Sequence, residues 1–183
     1  MAARKTEEVD LDELLSAIKI DPKFKKFRLI LKTTRERLKI ERDRNEALGL
    51  LANRSSRALH GRKQFSPKAI MEATANDLSA RARLVEIRVK AKIHIDLMEE
   101  ACDAIKNHLL TEYNEDMRKY GTVEQRKALI ERVQGSAKTF VVEGLALIEM
   151  LDQIVRDIDQ ASYHLRYLVE TLKLLDGTKG KIV

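Results

Sequence analysis

The sequence contains almost nothing that staples, kinks or interrupts a chain. Cysteine occurs once among 183 residues, so no internal disulfide can form and a reducing compartment is expected. Proline occurs twice and glycine seven times, which leaves few places for the chain to turn. Tryptophan is absent, and four Phe with four Tyr suit seams of Leu, Ile, Val and Ala better than a sandwich or barrel. Long apolar runs are missing as well. The richest, VVEGLALIEML at 141–151, is shorter than the roughly 20 residues that span a bilayer, and it carries Glu143 and Glu149. MAARKTEEVD at the N-terminus has no apolar segment of the kind that directs secretion. Together these absences predict a soluble, cytoplasmic protein with no membrane partner.

Signatures of catalysis are missing too. The sequence has no glycine-rich phosphate loop, no GxSxG elbow and no HExxH. A di-metal site in a helical bundle needs Glu-x-x-His pairs, but Ala91, Ile105 and Ala161 stand three residues before His94, His108 and His164. His94 reads as a helix-face histidine, and Cys102 as a small hydrophobe at an apolar seam position. No cofactor, no metal and no enzymatic activity are expected.

What the sequence has is helical period. From Ile130 onward Val133, Ala137, Phe140, Gly144, Leu147, Leu151, Ile154, Ile158, Ala161, Leu165, Leu168, Leu172 and Leu175 alternate steps of three and four. Val141, Ile148, Val155 and Val169 widen this stripe, as in a helix that touches more than one neighbour. Thr122 and Gln125 form a capping-box pattern and Asp176-Gly177 a stop, which predicts one helix over 122–175, on the order of 80 Å long. A second helix begins at Ser66-Pro67, with Phe65 placed to staple onto Ile70. It continues through Leu84, Ile87, Ala91, Met98, Cys102, Ile105, Leu109 and Tyr113 to Tyr120-Gly121. So short a joint predicts an antiparallel hairpin. Upstream, VDLDELLSAIKI suggests a short helix. Asp21-Pro22 starts another, which buries Phe24, Phe27, Leu31, Leu38, Leu48 and Leu51 with Thr34, Glu41 and Asn45 interrupting its seam. The fold expected is all-α: a basic helical region over 1–53, a basic linker over 54–66, a long antiparallel helical hairpin over 67–176 and a frayed tail over 177–183.

Charge is distributed unevenly along this framework. Residues 22–68 hold 15 Lys plus Arg against four acids, whereas 139–170 hold six acids and two bases. The stretch KTTRERLKIERDR, 32–44, lies within the basic region, where Glu36 can meet Lys39 and Glu41 can meet Arg44 at helical spacing. The surplus remains large after such pairing, and it predicts electrostatic binding to a nucleic-acid backbone. The residues expected to carry it are Lys23, Lys25, Lys26, Arg28, Lys32, Arg35, Arg37, Lys39, Arg42, Arg44, Arg54, Arg57, Arg62 and Lys63. No aromatic side chains are interleaved with them for stacking on bases, so sequence-indifferent binding is expected. Self-association is expected through the seam, at Phe140, Leu147, Leu151, Ile154, Ile158, Leu165, Leu168 and Leu172, giving a homo-oligomer. A basic N-terminal part before a long helical hairpin is similar in organisation to the small terminase subunits of tailed phages. That likeness implies DNA binding and assembly in a viral setting, although the chain has no helix-turn-helix. The alternative is a protein–protein scaffold whose basic segment meets an acidic protein or a neighbouring subunit.

Overall fold

A computed structural model of the protein describes residues 11–54 and 67–179. Of these, 95% are helical and none lies in a strand. The helices are α1 (Leu11–Ile20), α2 (Pro22–Arg37), α3 (Ile40–Ala52), α4 (Pro67–Glu112), α5 (Asn114–Tyr120) and α6 (Val123–Lys179). The two long helices α4 and α6 pack against each other as the hairpin. The side chains that the heptad spacing places inside are buried: Leu84, Ile87, Ala91, Met98, Ile105 and Leu109 on α4, and Ala137, Phe140, Leu147, Leu151, Ile154 and Ile158 on α6. Each large one contributes about 1.5–3 kcal/mol over an exposed position. Repetition along the seam therefore outweighs any local preference. Among the described residues no helix is long and apolar enough to cross a membrane.

The described residues fall into two compact units. The first holds α1, α2, the α4 segment from Lys92, α5, and α6 as far as Leu145. Its buried side chains include Leu14, Ile18, Phe24, Phe27, Leu31, Ile95, Met117 and Ile130. The second holds α3, α4 up to Ala91, and α6 from Ala146. There Ile70, Ala73 and Leu165 form a cluster, with Val169 and Leu172 packed against it.

Three joints differ from the sequence expectation. The helix expected to run on from Asp21 breaks at Leu38, whose backbone is extended (φ −103°, ψ 103°). Continuing the spacing past the buried Leu38 would turn Glu41, Asn45 and Leu48 inward. After the break the buried positions are Ile40, Asp43 and Ala47, and Leu48 is exposed. The break thus exchanges a polar seam for one that needs only Asp43 to find a partner, and Lys90 Nζ supplies it at 3.0 Å.

The second difference is at the hairpin end. The first arm halts at Tyr113 (φ −99°, ψ 20°) and resumes as α5, while the tyrosine hydroxyl is held by Asp21 at 3.1 Å. The capping box is formed as expected: Thr122 N–H donates to Gln125 Oε1 at 2.7 Å, and Gln125 N–H to Thr122 Oγ1 at 3.4 Å. Third, α6 continues through Asp176-Gly177 to Lys179. One glycine inside a helix costs about 1 kcal/mol relative to alanine, which does not compel a stop. The expected cap at Ser66 and staple at Phe65 lie outside the described residues.

Candidate nucleic-acid interface

The basic surface is built on α2, and the start of that helix is firmly fixed. Asp21 caps it by accepting from Lys23 N–H at 2.7 Å and Phe24 N–H at 3.1 Å, and Pro22 stands at the first helical position. The same carboxylate meets His108 Nε2 at 2.9 Å and accepts from the Tyr113 hydroxyl. Burial pushes the Asp21 carboxyl up. The hydrogen bonds from His108, the Phe24 and Lys23 amides and Tyr113 outweigh it and bring the pKa down to about 2. Burial first, then the bond to Asp21, pushes the Tyr113 phenol up to about 12.

Phe24, Phe27, Leu31 and Thr34 face inward, one turn apart. Everything basic on the helix faces out: Lys23, Lys25, Lys26, Arg28, Lys32, Arg35 and Arg37 are exposed, as is Lys39 in the break beyond it. Glu36 is the one acid among them. The first turn of α2 contains no acid and carries Lys23, a cation at the positive end of the helix dipole. The Asp21 carboxylate at the N-cap offsets it, and Arg35 and Arg37 in the last turn suit the dipole.

Several cations elsewhere are paired. In the second unit Arg88 pairs with Asp152, Arg81 with Asp159 at 2.6 Å, and Arg83 with Glu46 at 2.6 Å. On α2, among the described residues, no lysine or arginine has a carboxylate partner within ion-pair distance. Arg35 alone is engaged. Its Nη2 donates to the Ser136 carbonyl at 2.7 Å, and its guanidinium lies 5.8 Å from the Phe140 ring centroid. Lys19, Lys25, Arg28, Lys32, Arg35 and Lys39 line a groove of about 740 Å³ whose apolar lining includes Phe24, Phe27, Leu31 and Val133.

Other expected site residues are placed differently. Arg42 is exposed on α3, and Arg44 on the same helix lies 3.8 Å from Glu41, as the spacing predicts. Arg54 is buried. Its guanidinium is held by Asp157 and by Asp77 at 3.3 Å, which withdraws it from any phosphate. Arg57, Arg62 and Lys63 lie outside the described residues. Phe140, Leu147, Leu151, Ile154, Ile158 and Leu165 are covered within the chain itself, so the area they would have offered a second copy is already taken. Leu172 is half-buried against the Ile70 cluster, and Leu168 is exposed. The wide stripe is needed because α6 meets more than α4 alone.

Cys102 is buried, and burial, with Asp103 next in effect, pushes its thiol up, away from nucleophilic use. Among the described residues no cluster of three or more His, Cys, Asp or Glu could hold a metal ion. The chain matches no protein-family model, no curated protein and no solved structure. The likeness to small terminase subunits therefore rests on sequence organisation alone.

Proposed function

We propose that this is a non-catalytic helical protein that binds the phosphate backbone of nucleic acid through α2 without reading base sequence. One observation carries the reading. Among the described residues Arg44, Arg54, Arg81, Arg83 and Arg88 outside α2 pair with carboxylates, whereas no cation of α2 does, and Lys23, Lys25, Lys26, Arg28, Lys32, Arg35 and Arg37 crowd one 16-residue helix whose one acid is Glu36. Unpaired cations at such density attract polyanions, and the release of condensed counterions drives the association. Phe24 and Phe27 are buried with ring centroids 6.1 Å apart, so neither ring is free to stack on a base. Self-association belongs to the same proposal on a different set of residues from the seam: Tyr163, Tyr167, Leu168 and Leu174 of α6 are exposed.

An acidic protein as the partner is the second reading. Exposed Leu29 beside the cations favours it, since an amphipathic acidic segment would cover both. A neighbouring copy is a poorer fit, because Asp152, Asp157 and Asp159 already hold arginines of their own chain. Fluorescence anisotropy with two oligonucleotides of unrelated sequence separates these readings. Wild type binds both with similar affinity at low salt, and the variant Arg28→Gln/Lys32→Gln/Arg37→Gln loses about tenfold or more. If wild type binds neither oligonucleotide, the nucleic-acid reading is rejected.

A further inference from the structure

The cations of α2 do not form a single outward face. The inward row is Phe24, Phe27, Leu31 and Thr34. Directly opposite, at seven-residue steps, stand Pro22, Leu29 and Glu36, all exposed and none basic. Leu29 on this crown is 63% exposed. The positive charge lies on the two flanks. Lys25, Arg28, Lys32 and Arg35 succeed one another at steps of three and four along the wall of the 740 Å³ groove that α2 makes with Val133 and Ser136 of α6. Lys23 and Lys26 line a smaller cleft of about 280 Å³ on the other flank, against Ala101, Ala104 and Ile105 of α4.

From this arrangement we infer that the groove between α2 and α6 takes a single extended strand of nucleic acid and not a duplex. The inference rests on the proposal that α2 binds nucleic acid at all. A double helix laid on α2 meets the crown first, where Pro22, Leu29 and Glu36 offer its phosphates no cation. The four-cation row is set down one side, along about 15 Å of helix at 1.5 Å per residue, and only a narrow polyanion reaches it along its length. A single strand also presents base faces that gain from leaving water, and the groove has accessible apolar groups to cover them in Val133 and Leu29. In a duplex those faces are already stacked. Arg35, fixed over Phe140 and on the Ser136 carbonyl, holds one end of the row in place before any ligand arrives. Glu36 is the one acid that lines the groove.

The test compares a 12-nucleotide mixed-sequence single strand with a hairpin duplex of equal phosphate number, using the full chain. The single strand binds at least about tenfold more tightly, with a slope of log affinity against log salt near −2.8, from four contacts at about −0.7 each. Lys25→Gln/Arg28→Gln/Lys32→Gln/Arg35→Gln lowers single-strand affinity by about tenfold or more. Lys23→Gln/Lys26→Gln, on the opposite flank, changes it less than about threefold. Equal or tighter binding of the duplex, or equal losses from the two variants, overturns the groove assignment and leaves α2 as a general phosphate-binding helix. Absence of salt-sensitive binding to either oligonucleotide overturns both. Binding of a polyglutamate peptide of equal charge as tightly as the strand also overturns the assignment.

Discussion

At the scale of single residues, Arg54 and Asp21 show how a charged group can serve the fold and not a ligand. Arg54 and Asp77 are almost inaccessible, with side chains 3% and 1% exposed, and removing one partner of a buried pair leaves the other charge uncompensated. Arg54→Met is expected to destabilise the protein by about 3 kcal/mol in urea unfolding, with the affinity of the folded fraction for nucleic acid unchanged. A loss of affinity without loss of stability would return Arg54 to the binding surface. Sequence did hold a signal for this pair. Asp77 falls on the three–four spacing between Ile70 and Leu84, and a carboxylate in an apolar row must find a cation. Which cation it finds depends on contact across the fold, and spacing alone does not specify that.

Asp21 supplies a pH dependence. Its folded pKa, about 2, lies below its ordinary 3.8, so its contribution is present above pH 4 and is lost as pH falls toward 2. Asn caps a helix nearly as well as Asp, so Asp21→Asn isolates the charge. The variant should be less stable by on the order of 2 kcal/mol at pH 7, with the gap closing near pH 2. A gap independent of pH would mean that the carboxylate charge contributes nothing.

At the scale of elements, the two long arms of the hairpin were legible because their signal repeats, whereas the halt at Tyr113 and the run past Gly177 were not. A seam at three–four spacing survives an occasional Gly144 or Gln134, since neighbouring turns agree. Gln134 is accommodated by donating from Nε2 to the Cys102 carbonyl. The break at Leu38 was not legible. No Pro or Gly marks it, and its cause is the competition between Glu41, Asn45 and Leu48 and the set Ile40, Asp43 and Ala47 for the inward face, decided by partners on α4. The two registers make opposite forecasts. Ile40→Ala should cost about 2–4 kcal/mol and Leu48→Ala under about 1 kcal/mol, measured by chemical unfolding. The reverse order would restore an unbroken helix. The groove between α2 and α6 was likewise hidden, because the cations could be read from sequence while their division between two flanks depends on where the neighbouring helices lie.

At the scale of the whole molecule, composition foretold an all-α chain with a basic N-terminal third, and tertiary pairing then sorted the charges. Acids of α6 and arginines of α4 neutralise one another at Arg81–Asp159 and Arg88–Asp152, while the α2 cations have no carboxylate partner among the described residues. Assembly is the second property at this scale. Exposed Tyr163 and Tyr167 lie one helical turn apart on α6. Light scattering at micromolar concentration should give a mass above the monomer for wild type and a monomeric mass for Tyr163→Glu/Tyr167→Glu. A monomeric wild type would remove self-association from the proposal.

Binding through α2 is tested most directly by lysine footprinting. The full chain is acetylated with and without a single-stranded oligonucleotide at low salt, and each site is quantified by mass spectrometry. Lys25, Lys32 and Lys39 are exposed and line the groove, while Lys106, Lys127 and Lys138 are exposed on α4 and α6 outside it. Selective protection of the first three, reversed as salt is raised, is the expected result. Uniform protection of all six, or none at Lys25 and Lys32, would contradict it.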